Sequence, residues 1–125
     1  MKRIVPIICL ITIVLSGCTA VKKMKMGMSD NPFEGDPDSV QRGRTIYAAN
    51  CASCHGVEGK GDGELGIDLS TSPANLQVVA REKSVNAIAM NTAYGKNKDM
   101  EAFLGMLTID QVWDVSNYVS SLSGE

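Results

Sequence analysis

The chain has 125 residues and a formal net charge of −2, which suits one domain rather than two and argues against a nucleic-acid binder. Aromatic residues make up 5% of it, so its core must come from aliphatic side chains or from something the chain does not encode. His55 is the single histidine, which excludes a multi-histidine metal site within one chain.

Residues 1–17 read as a signal peptide. Lys2 and Arg3 precede Ile4 to Leu15, an apolar run interrupted by Pro6 and Thr12. The run is short for a bilayer span and right for a signal-peptide core. It leads into Leu15-Ser16-Gly17-Cys18, which resembles the bacterial lipobox and implies lipidation of Cys18. An ordinary signal peptide or an uncleaved anchor is the plainer alternative; in either case the domain is exported. Residues 18–37 then read as lipid anchor and flexible tether, with lysines, glycines and prolines and no sustained apolar period. The alternation Met24-Lys25-Met26-Gly27-Met28 could offer thioethers to Cu(I). With no cysteine or histidine beside it, linker composition explains it better.

The pattern over residues 38–125 is that of one small all-α domain. Asp38 and Gln41 form a capping pair, and Val40, Gly43, Ile46 and Tyr47 fall on one helical face. Cys51-Ala52-Ser53-Cys54-His55 follows. Cysteines three apart lie on one side of a helical turn, so both sulfurs reach the two vinyl groups of one porphyrin and the adjacent histidine meets the iron. This is the attachment spacing of c-type haem. A zinc site would lack a fourth ligand, because no second Cys-x-x-Cys exists. A thioredoxin-like dithiol would need a βαβ setting, which the helical pattern denies.

Gly61-Asp62-Gly63-Glu64-Leu65-Gly66 matches the dinucleotide fingerprint, but no strand precedes it. With Gly56 and Gly59, these glycines predict a tight loop at the haem edge. A short helix is predicted over Ser84 to Asn91, with Val85, Ile88 and Ala89 inward. Thr108 and Gln111 form a capping box for a last helix in which Ile109, Val112, Trp113, Val115, Tyr118, Val119 and Leu122 recur at helical steps, ending at Ser123-Gly124.

Taken together, residues 38–124 resemble a class I, mono-haem c-type cytochrome. The matching pieces are Gly43 to Tyr47, Cys51 to Gly56, the glycine loop, Ser72-Pro73-Ala74-Asn75-Leu76 and Ile109 to Leu122. The resemblance implies a cytochrome c-like domain of three to five helices wrapped around one covalent haem c. Cys51 and Cys54 would be its thioether attachments and His55 an axial iron ligand. It sets Gly43 and Tyr47 against Val115 and Tyr118, and makes the Pro73 carbonyl the group that orients His55. The second axial ligand it implies is Met100, followed by Phe103, although Glu101 stands where the family usually has proline. Phe103 and Trp113 would shield that face, while Met90 and Met106 read as core-filling side chains. Arg81 reads as a propionate partner or a solvated helix residue.

With both axial positions filled, the iron has no place for a substrate. The function expected is therefore electron carriage between extracytoplasmic redox proteins, a donor and an acceptor, on the periplasmic side of a bacterial membrane, and not catalysis. Two alternatives stand beside it: a haem subunit of a larger oxidase or dehydrogenase complex, and a gas-binding or peroxidase-like protein if Met100 is not a ligand. From Asp36 to Glu125 twelve acidic side chains face seven basic ones. Signs are mixed among Lys60, Asp62, Glu64, Lys96, Lys98, Asp99 and Glu101, so docking is expected to be largely apolar.

Overall fold

The structure is a computed structural model that describes residues 30–124. The predicted signal peptide 1–17, the lipidation site Cys18 and the methionine alternation at 24–28 lie outside the described residues.

Helix α1 spans Pro37–Asn50. Its cap is Asp36, whose side chain accepts from the Asp38 N–H at 2.9 Å, and not the expected Asp38. The reason is Pro37, whose fixed φ and missing N–H suit the first helical position and move the start upstream. Cys51 closes α1 by donating its N–H to the Tyr47 carbonyl at 2.8 Å. It also opens α2, the single turn Ala52–His55. A 3-10 turn, Glu64–Asp68, lies in the glycine-rich loop, where the dinucleotide fingerprint has no strand before it. Helix α3, Leu76–Glu82, is capped by Asn75, and α4, Val85–Tyr94, by Ser84. Helix α5, Ile109–Ser121, starts from the expected capping box. Thr108 Oγ1 accepts from the Gln111 N–H at 3.2 Å, and Gln111 Oε1 accepts from the Thr108 N–H at 2.9 Å. A single isolated bridge pairs Leu104 with Leu107, and the described residues contain no strand.

The main packing is α1 on α5, followed by α4 on α5. A Cβ at Gly43 would collide with the Asp114 carbonyl and lie 2.9 Å from Tyr118 Cβ. The helices therefore touch backbone to backbone. Beside this contact Tyr47 meets Tyr118, ring centroids 5.1 Å apart and tilted 55°. Gly43 thus meets Asp114, one residue before the expected Val115. Tyr47, Ile88, Ala89, Ala93, Leu107, Val112, Trp113, Val115 and Val119 form the buried core, largely aliphatic as the composition required.

The crossing also carries a polar latch. Asp114 is 4% exposed. Its carboxylate accepts from Ser39 Oγ at 2.7 Å, from Arg42 Nε at 2.9 Å and from Arg42 Nη2 at 2.8 Å. Asn117 extends it, donating to Ser39 Oγ at 2.8 Å and accepting from Asn31 Nδ2 at 2.6 Å. Asn117 also donates to the Phe33 carbonyl at 3.3 Å, and the Arg42 guanidinium lies 5.3 Å above the Phe33 ring. Residues 31–37, read from composition as the end of the tether, therefore belong to the folded domain.

Candidate metal centre

Segments from both halves of the fold line one cavity of about 390 Å³. Asn50, Cys51, Cys54 and His55 come from the end of α1 and from α2. Leu69 and the segment 71–74 supply one loop, and Lys96, Asn97, the segment 99–103 and Met106 supply another. The lining is predominantly apolar, as a site for a flat, greasy cofactor should be.

Cys51 and Cys54 are free thiols at either end of one helical turn. Burial, and then the neighbouring Cys54, push the Cys51 thiol up to about 11. That is the opposite of the activated thiolate a redox dithiol requires. The described residues also hold no group of three His, Cys, Asp or Glu side chains arranged for a metal ion, so the zinc alternative finds no donor set there.

His55 is half-buried, and its Nδ1 lies 3.0 Å from the Ala74 carbonyl. A carbonyl only accepts, so the contact requires the Nδ1–H tautomer and leaves the Nε2 lone pair available to a metal. The orienting carbonyl is thus Ala74's and not the expected Pro73's. Pro73 is turned elsewhere: its carbonyl faces Gly61 and its ring covers Gly66. On the other flank, Tyr47 Oη donates to the Gly56 carbonyl at 2.6 Å, pinning the residue after His55 to α1. Gly63 lies so close to the Ser53 and Cys54 backbone that a Cβ there would clash with both. The glycine loop therefore holds the cysteine turn from outside, and its N–H groups cap that turn: Gly61 donates to the His55 carbonyl at 2.8 Å and Gly63 to that of Cys54 at 3.1 Å.

Met100 is half-buried on the cavity wall. Its carbonyl accepts from the Lys96 N–H and its N–H donates to Asn97 Oδ1, each at 3.0 Å. Asn97 Oδ1 also accepts from the Asp99 N–H at 3.0 Å, and the Asp99 carboxylate bridges to Ser70 and Thr71. The Ser70 hydroxyl, foremost, holds the Asp99 carboxyl below its usual range. In the sequence Ala74 stands in a matched segment and Asp99 among mixed charges, without these roles, and the spacing Asn97-x-Asp99 is the one trace of the turn.

Two other expectations are corrected. Met106 is 70% exposed and lines the cavity rim, and Met90 is 38% exposed, so neither fills the core. Trp113 is in the core at 1% exposure, while Phe103 lines the cavity. Of the two readings of Arg81, the solvated helix residue holds: it is exposed on α3 and donates to the Ser123 carbonyl at 3.2 Å, while Lys96 is the cation on the cavity wall.

The donor set fits a covalent haem: two thiols one turn apart, an imidazole with its second nitrogen occupied, a thioether and an apolar wall. Comparison with known proteins agrees. The cytochrome c family model matches residues 40–123. Cytochrome c6 of Bumilleriopsis filiformis is 33% identical over 84 residues, covering 67% of this chain and 92% of that one. FixPc of Rhizobium leguminosarum bv. viciae, a cbb3-type cytochrome c oxidase subunit, is 30% identical over 99 residues, covering 78% of this chain. This chain spans only 32% of that relative's length. Among solved structures, the Kuenenia stuttgartiensis reducing HAO-like protein complex Kustc0457/Kustc0458 is similar, with a TM-score of 0.60 and 28% identity over 69% of this chain and 44% of the other. The motif, the helical fold around its cavity and the family match together make this chain a member of the cytochrome c family, with haem c as its covalent cofactor.

Proposed function

We propose that the protein is a membrane-tethered carrier of single electrons between extracytoplasmic redox partners. The observation that carries this reading is that Cys51, Cys54, His55 and Met100 line one cavity. Cys51 and Cys54 would hold the cofactor through thioethers, and His55 and Met100 would ligate its iron. When bound, haem c supplies a one-electron ferric–ferrous exchange whose potential a thioether ligand raises relative to histidine. The chain's part is to bind, orient and shield. Ala74 fixes the imidazole, Tyr47 and the glycine loop hold the cysteine turn, and Phe103 keeps water from the cavity. No further histidine or unassigned cysteine is present in the domain to act as acid, base or nucleophile, which favours a carrier over an enzyme.

The ligand set decides between the carrier and a gas-binding or peroxidase-like protein. Ferrous wild-type protein should bind carbon monoxide slowly, and the ferric form should show the sulfur-to-iron absorption band. Met100→Ala should abolish the band, lower the midpoint potential and admit carbon monoxide at once, whereas Met106→Ala should keep the band. Immediate carbon monoxide binding by the wild type would overturn the carrier reading.

A second reading, a haem subunit of a larger redox complex, is supported by the likeness to the FixP relatives and the HAO-like complex. The near-complete span of cytochrome c6 supports a self-standing carrier. Sedimentation of the solubilised protein from its native membrane separates the two: a free carrier migrates alone.

Tethering rests on the lipobox resemblance at Leu15 to Cys18. A diacylglycerol with an amide-linked chain on Cys18 gives the two signals that stable anchoring needs. Cys18→Ser should move the haem protein from the membrane to the soluble fraction; a wild-type protein already soluble would refute the tether.

A further inference from the structure

We propose that Asp99 is a positioning residue for the iron ligand: it clasps the loop that carries Met100 to the segment whose Ala74 carbonyl orients His55. The proposal rests on the reading of Met100 as an axial ligand and goes beyond it, by assigning what holds the thioether in place.

Asp99 Oδ2 accepts two hydrogen bonds from the other cavity loop, from Ser70 Oγ at 2.5 Å and from the Thr71 N–H at 3.0 Å. Thr71 and Ala74 lie on one short stretch, and both line the cavity. Asp99 and Met100 lie on the other loop and also line it. The side chain therefore joins the loop of one predicted axial ligand to the segment that supports the other.

Asp99 is rigidly coupled to Met100. Asn97 Oδ1 accepts from the N–H groups of both, each at 3.0 Å, and the Lys96 N–H closes the turn on the Met100 carbonyl at 3.0 Å. Pulling on Asp99 pulls on Met100. The loop's downstream end is fixed separately, by Phe103 and Leu104 donating to the Thr92 and Ala93 carbonyls of α4 at 3.0 Å. Between these anchors stands Glu101, where a proline would have stiffened the backbone by locking φ. The clasp supplies from outside the restraint that this position lacks. A carboxylate is well suited to the task, because it takes both donors and makes short, charge-assisted bonds.

The clasp predicts how readily Met100 leaves the iron. Carbon monoxide can bind the ferrous protein only after the thioether departs, so its binding rate reads the opening of the loop. Stopped-flow mixing of ferrous holo-protein with carbon monoxide should show Asp99→Ala binding about tenfold faster than wild type, the factor that loss of one charge-assisted hydrogen bond implies. The midpoint potential should fall and the sulfur-to-iron band weaken. Asp99→Asn keeps an acceptor oxygen and should restore most of the wild-type rate. Ser70→Ala removes one donor and should be intermediate.

The outcomes separate the two readings. If wild-type protein lacks the sulfur-to-iron band, the Met100 reading fails and the clasp falls with it. If the wild type has the band while Asp99→Ala keeps the wild-type rate, potential and band, the clasp is refuted and Met100 stands. Should Asp99→Ala lose its helical circular dichroism, Ser70→Ala decides, since it trims one exposed hydroxyl; a wild-type rate there refutes the clasp.

Discussion

At Gly43 a single hydrogen decides how close two helices come. The obstacle to a larger side chain is the Asp114 backbone, with Tyr118 Cβ 2.9 Å away, and a helical backbone cannot swing aside as a side-chain tip can. Gly43→Ala gains about 1 kcal/mol of helix propensity, but it must force α1 from α5 and disturb the Tyr47–Tyr118 contact. Overpacking of this kind costs about 1–3 kcal/mol. The obstacle here is backbone, so the upper part of that range is expected and the net effect is destabilising. Urea denaturation of the holo-protein, followed by circular dichroism, should show a lower midpoint at unchanged slope. His55 teaches a related lesson. The motif predicts His55 as a ligand and the family resemblance points to the segment 72–76, yet the carbonyl that meets Nδ1 is Ala74's. Which of two adjacent carbonyls meets the imidazole depends on the backbone path of a loop that packs Pro73 against Gly61 and Gly66, and no residue type records that.

Elements differed in legibility for physical reasons. Helix α5 carries its own signals, a reciprocal cap and an apolar stripe at helical steps, and its start agrees with the reading. Helix α4 is likewise visible in Ser84 and the apolar positions that follow. Helix α3 has no legible signal: at seven residues it is too short for a period to show, and it stands on the Asn75 cap and on what it packs against. Residues 31–37 read as tether because Asn, Pro, Gly and Asp compose both linkers and turns. What docks them is a set of side-chain bonds to Asn117, more than eighty residues away in the chain. Long-range polar pairs leave no period behind. The same holds for Asp114, a charge among the apolar positions of α5 that would pass for a solvated face, and that is instead buried on Ser39 and Arg42.

Over the whole molecule, two regions draw their order from different sources. The α1–α5 crossing is held by chain alone, through the Gly43 contact, the Tyr47–Tyr118 pair and the Asp114 latch. The cavity loops 69–75 and 95–106 have few buried side chains of their own; around the cavity their order should come from the cofactor, since a domain this short gains much from a core-builder that it does not encode. Haem removal should therefore not unfold the protein uniformly. Cys51→Ala/Cys54→Ala, produced without covalent haem, is expected to keep slow amide exchange in the middle of α1 and α5. It should lose protection at Phe103 and Leu104, whose N–H groups bond the α4 carbonyls, and at Thr71, whose N–H bonds Asp99. Hydrogen exchange with mass-spectrometric readout resolves these segments, because local opening is reported segment by segment. Uniform loss of protection would show that the crossing depends on haem as much as the loops do. Uniform retention would show that the cavity is built before the cofactor enters it.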